Sequence, residues 1–100
     1  MQFSSRTVKG LAQCLVADGV DADKLRFHVT EIEPGMRPHP PHTHTGIEAF
    51  YVLEGQGTIE IEGQSQTLGQ NQAVVIDPTR MHGLVNTGTT RMRYLVMIVQ

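Results

Sequence analysis

From Leu25 to the C-terminus, turn-forming residues interrupt the chain at short intervals, and this punctuation limits what it can fold into. Pro34-Gly35, Gly55-Gln56-Gly57, Glu62-Gly63 and Asn71 bound runs of only a few residues. Within the runs, apolar and polar residues alternate: Leu25, Phe27 and Val29 against Arg26, His28 and Thr30, and again from Thr58 to Glu62. Period two is the strand period, and short strands joined by turns predict an all-β sandwich or barrel with no helix. The expected strands are residues 8–16, one through Leu25–Val29, Glu48–Glu54, Thr58–Glu62, Gln64–Leu68, Ala73–Ile76, Met81–Val85 and Arg91–Val99. Asp18-Gly19 is expected to turn the chain, residues 21–24 to form a polar loop, and Glu62-Gly63 to be a hairpin tip. Pro38, Pro40 and Pro41 keep their segment out of helix and out of any central strand.

The chain has 100 residues, the size of one domain with one core. We read residues 1–100 as that single domain, with an N-terminal strand and loop over 1–24 and the conserved-type barrel over 25–99. The formal charge is −2 and the basic residues are scattered, which argues against a nucleic-acid partner. The longest apolar run, Tyr94 to Val99, is far too short to span a bilayer, so no membrane partner is expected. No long apolar segment follows the first basic residue, so no secretory signal is expected. The single cysteine, Cys14, has no intrachain partner and is expected to be a buried apolar residue, which fits a cytoplasmic protein.

The residues that carry chemistry are His42, His44, Glu48 and His82. Histidines at i and i+2 of a strand point to one face, and Glu48 follows a Thr-Gly turn, so it can return beside them. Three imidazoles and a carboxylate suit a divalent transition metal, with Zn, Mn, Fe, Ni and Cu all accepting the mixture. Four ligands on a six-coordinate ion leave positions for water or substrate. Taken singly, each histidine reads first as a solvated turn residue. The spacing of the set favours a site.

These residues resemble the two sequence motifs of a small single-domain cupin. The first motif runs from Gly35 through His42-Thr43-His44 and Glu48 to Gly55, with one extra residue between Gly35 and His42. The second runs from Asn71 through Asp77-Pro78 and His82 to Asn86; Asn71 stands where glycine is usual, and asparagine is the next best residue at positive φ. The resemblance implies a cupin-type double-stranded β-helix, or jelly-roll barrel, with one metal on His42, His44, Glu48 and His82. It also implies a homodimer, in line with the last strand, which is apolar on both faces: Tyr94, Val96 and Ile98 on one, Leu95, Met97 and Val99 on the other.

The leading functional expectation is a metal-dependent enzyme acting on a small organic molecule, by dioxygenase-, isomerase- or lyase-type chemistry. The alternatives are a non-catalytic module that binds or senses a small ligand, and a barrel whose metal is structural. Glu48 is a candidate catalytic base should it leave the metal. Phe50, Met92, Arg80 and His28 are candidate substrate contacts, Arg80 as a two-pronged carboxylate grip. Arg37 shares that possibility, and His39 reads first as exposed loop and only second as a candidate base.

Overall fold

The structure is a computed structural model that describes all 100 residues. It holds nine strands, one 3₁₀ turn and no α-helix, as the alternation predicts. Strands β1 (Phe3–Arg6) and β2 (Cys14–Ala17) pair antiparallel as a separate two-stranded arm. The 3₁₀ turn, Ala22–Lys24, leads into β3 (Leu25–Ile32). Then follow β4 (Ile47–Glu54), β5 (Gly57–Ile61), β6 (Gln64–Leu68), β7 (Ala73–Ile76), β8 (His82–Val85) and β9 (Met92–Val99). One sheet has the order β3-β9-β4-β7 and the other β6-β5-β8, with every neighbouring pair antiparallel.

The core lies between these sheets. The four-stranded sheet contributes Ile32, Phe50, Val52, Ile76, Met92, Tyr94 and Val96, and the three-stranded sheet Ile59, Leu68 and Leu84. In β4 the buried residues are Glu48, Phe50 and Val52, the alternation expected of a strand with one inward face. The tip between β5 and β6 has Glu62 at φ 47° and Gly63 at φ 82°, the double left-handed conformation of the tightest hairpin turns. Asn71 also sits at positive φ, 63°.

Two expectations change. The strand expected over residues 8–16 is instead a loop followed by β2, and β1 was not foreseen. Gly10 explains the break: it adopts φ +82° and presses on β3, where a Cβ would come within 2.3 Å of the Val29 carbonyl oxygen. Cys14 is half-buried rather than buried. A point that alternation left open matters for function. Leu25 is 41 % exposed and Phe27 and Val29 are only half-buried, whereas Thr30 is 7 % exposed. The polar face of β3 is the inward one.

Asn86 fastens the loop after β8. Its Nδ2 donates to the carbonyls of Ile32 at 2.8 Å and Thr90 at 2.9 Å, and its Oδ1 accepts from the Gly88 amide at 2.9 Å. A residue only 1 % exposed thus has all its strong polar directions used, as burial demands.

Candidate metal centre

Pro40 and Pro41 deliver the chain to His42 without building a strand. His42 makes an isolated antiparallel bridge with His82, each amide donating to the other's carbonyl, at 3.0 and 3.1 Å. The His44 amide donates to the Pro78 carbonyl at 2.9 Å. His42 and His44 therefore lie on a loop stitched to the segment before β8, and not on the continuous strand that their spacing suggested. The prolines cut the strand on one side. Gly46, at φ +106° and with no room for a Cβ beside the Val99 carbonyl, cuts it on the other.

The convergence expected of the four side chains is nevertheless present. The ligand nitrogens of His42, His44 and His82 all lie within 4.8 Å of one another. Their rings stand steeply to one another, with interplanar angles of 63–79°, so their edges rather than their faces meet at the centre. Glu48 enters from β4. Its Oε1 is 2.9 Å from His82 Nε2 and 3.1 Å from His44 Nε2. Glu48 and His82 are 4 % and 2 % exposed.

The outer nitrogens decide what the inner ones can do. His82 Nδ1 faces the Arg80 carbonyl at 2.8 Å and His44 Nδ1 faces the Thr45 carbonyl at 2.9 Å. A carbonyl only accepts, so each neutral ring carries its proton on Nδ1 and turns a lone pair inward at Nε2. Backbone carbonyls in this position are what orient metal-ligating histidines. The inward nitrogens meet the Glu48 carboxylate, itself only an acceptor; His44 Nε2 lies in hydrogen-bond geometry to its Oε1 at 3.1 Å, a bond that forms only when that nitrogen carries a proton. The His82–Glu48 contact is short, but its geometry is not that of a hydrogen bond, and His82 Nε2 is buried without a partner. Acceptors that face each other at such distances need a proton or a cation between them, and three imidazoles with one carboxylate are a donor set that fits a divalent metal ion. His42 adds a third nitrogen. Burial first, and then the neighbouring imidazoles of His39, His82 and His44, push its pKa below the ordinary imidazole value. That keeps it in the neutral form a metal needs.

The centre opens onto a cavity of about 440 Å³ along the inward face of the four-stranded sheet, within the usual range for small-molecule sites. In the sheet register, Arg26, Ile98 and Glu48 form one row and His28, Val96 and Phe50 the next. All six line the cavity, together with Thr30 and Tyr94 beyond them and Lys9, Pro38 and His39 at the loops. Phe50 and His28 thus line the same cavity as the candidate ligands His42, His44 and Glu48. Met92 and Arg80 are not among the lining residues. Met92 is fully buried with its sulfur packed over Gly57, between the sheets. Arg80 points into another groove, 3.9 Å from Glu62. Arg37 pairs with Glu60. His39 lines the cavity and its ring lies 4.2 Å from that of His42.

Lys9 and Arg26 were missed. Arg26 carried a signal, because it shares the polar face of β3 with His28. Lys9 carried none, since only the fold brings its loop against β3. The Tyr94 hydroxyl is held protonated: burial, partly offset by Thr30, raises its pKa to about 12. The two hydroxyls do not reach hydrogen-bond geometry, and Thr30 Oγ1 is buried without a partner.

Comparison with known proteins agrees with this geometry. The family model for the cupin domain matches residues 28–98. No curated protein sequence matches the chain. Among solved structures, a predicted oxalate decarboxylase from Thermotoga maritima is 26 % identical, with a TM-score of 0.71 over 85 % of this chain and 75 % of that one. The cupin domain of an XRE family transcriptional regulator from Enterobacter cloacae is 21 % identical, with a TM-score of 0.71 over 85 % and 90 % of the two chains. An RmlC-like cupin family protein from Methanocaldococcus jannaschii, described as a double-stranded β-helix, is 14 % identical, with a TM-score of 0.72 over 80 % and 73 %.

Proposed function

Since the chain belongs to the cupin family and has its double-stranded β-helix fold, we propose that it is a metal-dependent enzyme acting on a small organic molecule, with His42, His44, His82 and Glu48 as the ligands. One observation carries this reading: a buried imidazole lone pair, on His82 Nε2, and a buried carboxylate face each other at 2.9 Å at the edge of a cavity large enough for a substrate. A structural ion needs no such cavity beside it. When bound, the metal supplies a Lewis acid for a substrate oxygen.

The chain's own residues account for the rest of the site. Phe50, Val96 and Ile98 form an apolar wall that limits water. Tyr94, protonated throughout the physiological range, offers a hydrogen-bond donor beside Thr30. His39 Nδ1 faces the Pro40 carbonyl at 2.9 Å, which leaves Nε2 of the neutral ring free as an acceptor at the cavity edge and makes His39 a better-placed base than Glu48. The likeness to the Thermotoga maritima protein supports a catalytic role. A purely sensing role predicts saturable ligand binding with no turnover.

The test is elemental analysis of the purified protein and of its His42→Ala, His44→Ala and His82→Ala variants. One equivalent of a transition metal in the parent and less than a tenth in each variant is the expected result. Full occupancy in His44→Ala would remove the assigned ligand set. Turnover is then screened with the loaded protein.

We further read the protein as a homodimer. The outward face of the four-stranded sheet presents Leu25, Ile47, Val75, Met97 and Val99 to solvent. The register joins them: Leu25 and Ile47 each lie opposite Val99 on β9, and Ala49 links Met97 to Val75. An apolar face this continuous is what a subunit interface covers. No helix is long and apolar enough to cross a membrane, and a cytoplasmic location is proposed from the unpaired Cys14.

A further inference from the structure

We propose that the substrate is a small anion, a carboxylate or phosphate group, held by Arg26 and Lys9 at the mouth of the cavity while its remaining oxygens reach toward the histidine centre. The proposal rests on the metal-dependent reading of the same cavity and adds to it the chemical class of the molecule.

The charge along the lining is one-sided. Lys9 and Arg26 are its cations, and Glu48 is its only carboxylate, already turned onto His44 and His82. Of the six arginines in the sequence, Arg6, Arg37, Arg80, Arg91 and Arg93 each lie within 4.0 Å of a carboxylate, and Arg26 does not. Lys9 has no such partner either. A guanidinium that lines a cavity with nothing to grip is poised for a ligand oxygen pair, which it binds in two-pronged fashion.

Both cations are positioned by the fold. Arg26 sits on the inward face of β3 in the row of Ile98 and Glu48. Two strand spacings put the Arg26 and Glu48 Cα atoms about 10 Å apart, a span that a small acid can bridge with help from the long arginine side chain. Lys9 is fixed at its backbone, where its carbonyl accepts from the Val29 amide at 2.9 Å. Gly10 makes this approach possible, because any Cβ there would collide with Val29. The N-terminal arm is therefore part of the site.

A second observation is independent of charge. Thr30 Oγ1, on a residue 7 % exposed that lines the same cavity, is buried without a hydrogen-bond partner. A buried hydroxyl left unpaired is costly, and a polar ligand atom satisfies it. A ligand rich in oxygen answers both observations, and an apolar one answers neither.

The experiment is calorimetric titration of the full-length protein, metal-loaded and after chelation, with malonate, inorganic phosphate and the neutral malonamide. It is repeated on Arg26→Gln, Lys9→Gln and Arg26→Lys. Arg26 and Lys9 are exposed, so these changes leave the core intact. Malonate or phosphate is expected to bind at least tenfold tighter than malonamide. Arg26→Gln should weaken the anion about tenfold, Lys9→Gln less, and Arg26→Lys should recover part of the loss. Preference for malonate identifies a carboxylic acid as the source of the anion, and preference for phosphate a phosphate ester. Equal affinity for malonamide, or anion binding unchanged in Arg26→Gln, overturns the inference. Elemental analysis of the same samples tests the metal separately: a wild type without metal defeats the metal reading, while the anion-to-amide ratio in the chelated protein still decides this one.

Discussion

Replacing Glu48 by Gln is expected to raise the stability of the metal-free protein and to shrink the stabilisation that metal brings. In the metal-free protein Glu48 Oε1 sits 2.9 and 3.1 Å from two Nε2 atoms whose rings carry their protons on the far side. The His82 contact is acceptor against acceptor and buried, while His44 Nε2 lies in hydrogen-bond geometry to Glu48 and donates only when it carries a proton. Glutamine keeps the shape and supplies N–H donors to those lone pairs. One hydrogen bond gained in place of an unsatisfied pair is worth about 1–2 kcal/mol, so the chelated Glu48→Gln variant should melt roughly 5–15 °C higher than the chelated parent. With metal that advantage is offset. A neutral amide oxygen is a poorer ligand than a carboxylate, and a tenfold loss of affinity corresponds to about 1.4 kcal/mol. At a free metal concentration about 100 times the parent's Kd, the parent gains about 2.7 kcal/mol, while the variant gains only about 1.4 kcal/mol. Scanning calorimetry of both proteins at pH 8, with chelator and with added zinc, reads all four values. A chelated Glu48→Gln that melts lower than the parent would show that Glu48 accepts ordinary hydrogen bonds from charged rings. An undiminished metal-induced shift would show that Glu48 is no ligand. Either result refutes the argument for the centre.

Asn86→Ala removes three buried hydrogen bonds, to Ile32, Thr90 and Gly88, and should cost about 3 kcal/mol and lower the melting temperature by roughly 10–20 °C; a loss below about 1 kcal/mol in denaturant titration would show that water replaces them. Met97→Asp places a charge on the apolar outer face, where Met97 is 36 % exposed, and should dissociate the dimer in sedimentation; an unchanged dimer, or a monomeric parent, removes that interface. His28 has a pKa below the ordinary imidazole value, because of burial first and the nearby Lys9 second, with Arg26 and His39 adding to the effect and Glu48 opposing it. The unfolded chain therefore binds this proton before the folded one does, and His28's contribution to stability is complete above about pH 6.5 and lost as pH falls through its folded value. His28→Gln should flatten the melting temperature between pH 6.5 and 5 relative to the parent, and parallel profiles would show that His28 is not what titrates.

Much of this protein is local, and what is local is legible in the sequence. Strand periodicity, the left-handed tip at Glu62-Gly63, the positive φ of Asn71 and the inward set Glu48, Phe50, Val52 follow from neighbours a few residues apart, where sterics and turn chemistry act. The donor types also speak for themselves, because imidazole and carboxylate suit few tasks in such a spacing. The tertiary structure decided everything that depends on which surface faces which. The apolar stripe of β3 faces outward and its polar stripe faces the cavity, a choice that alternation alone does not make, because here the inward face lines a ligand-sized cavity with polar groups and not only the apolar core. Arg80 and Met92, near the ligands in sequence motif or strand, were drawn off to Glu62 and Gly57. Lys9 and Arg26 took the places beside the cavity, through contacts that no local pattern records.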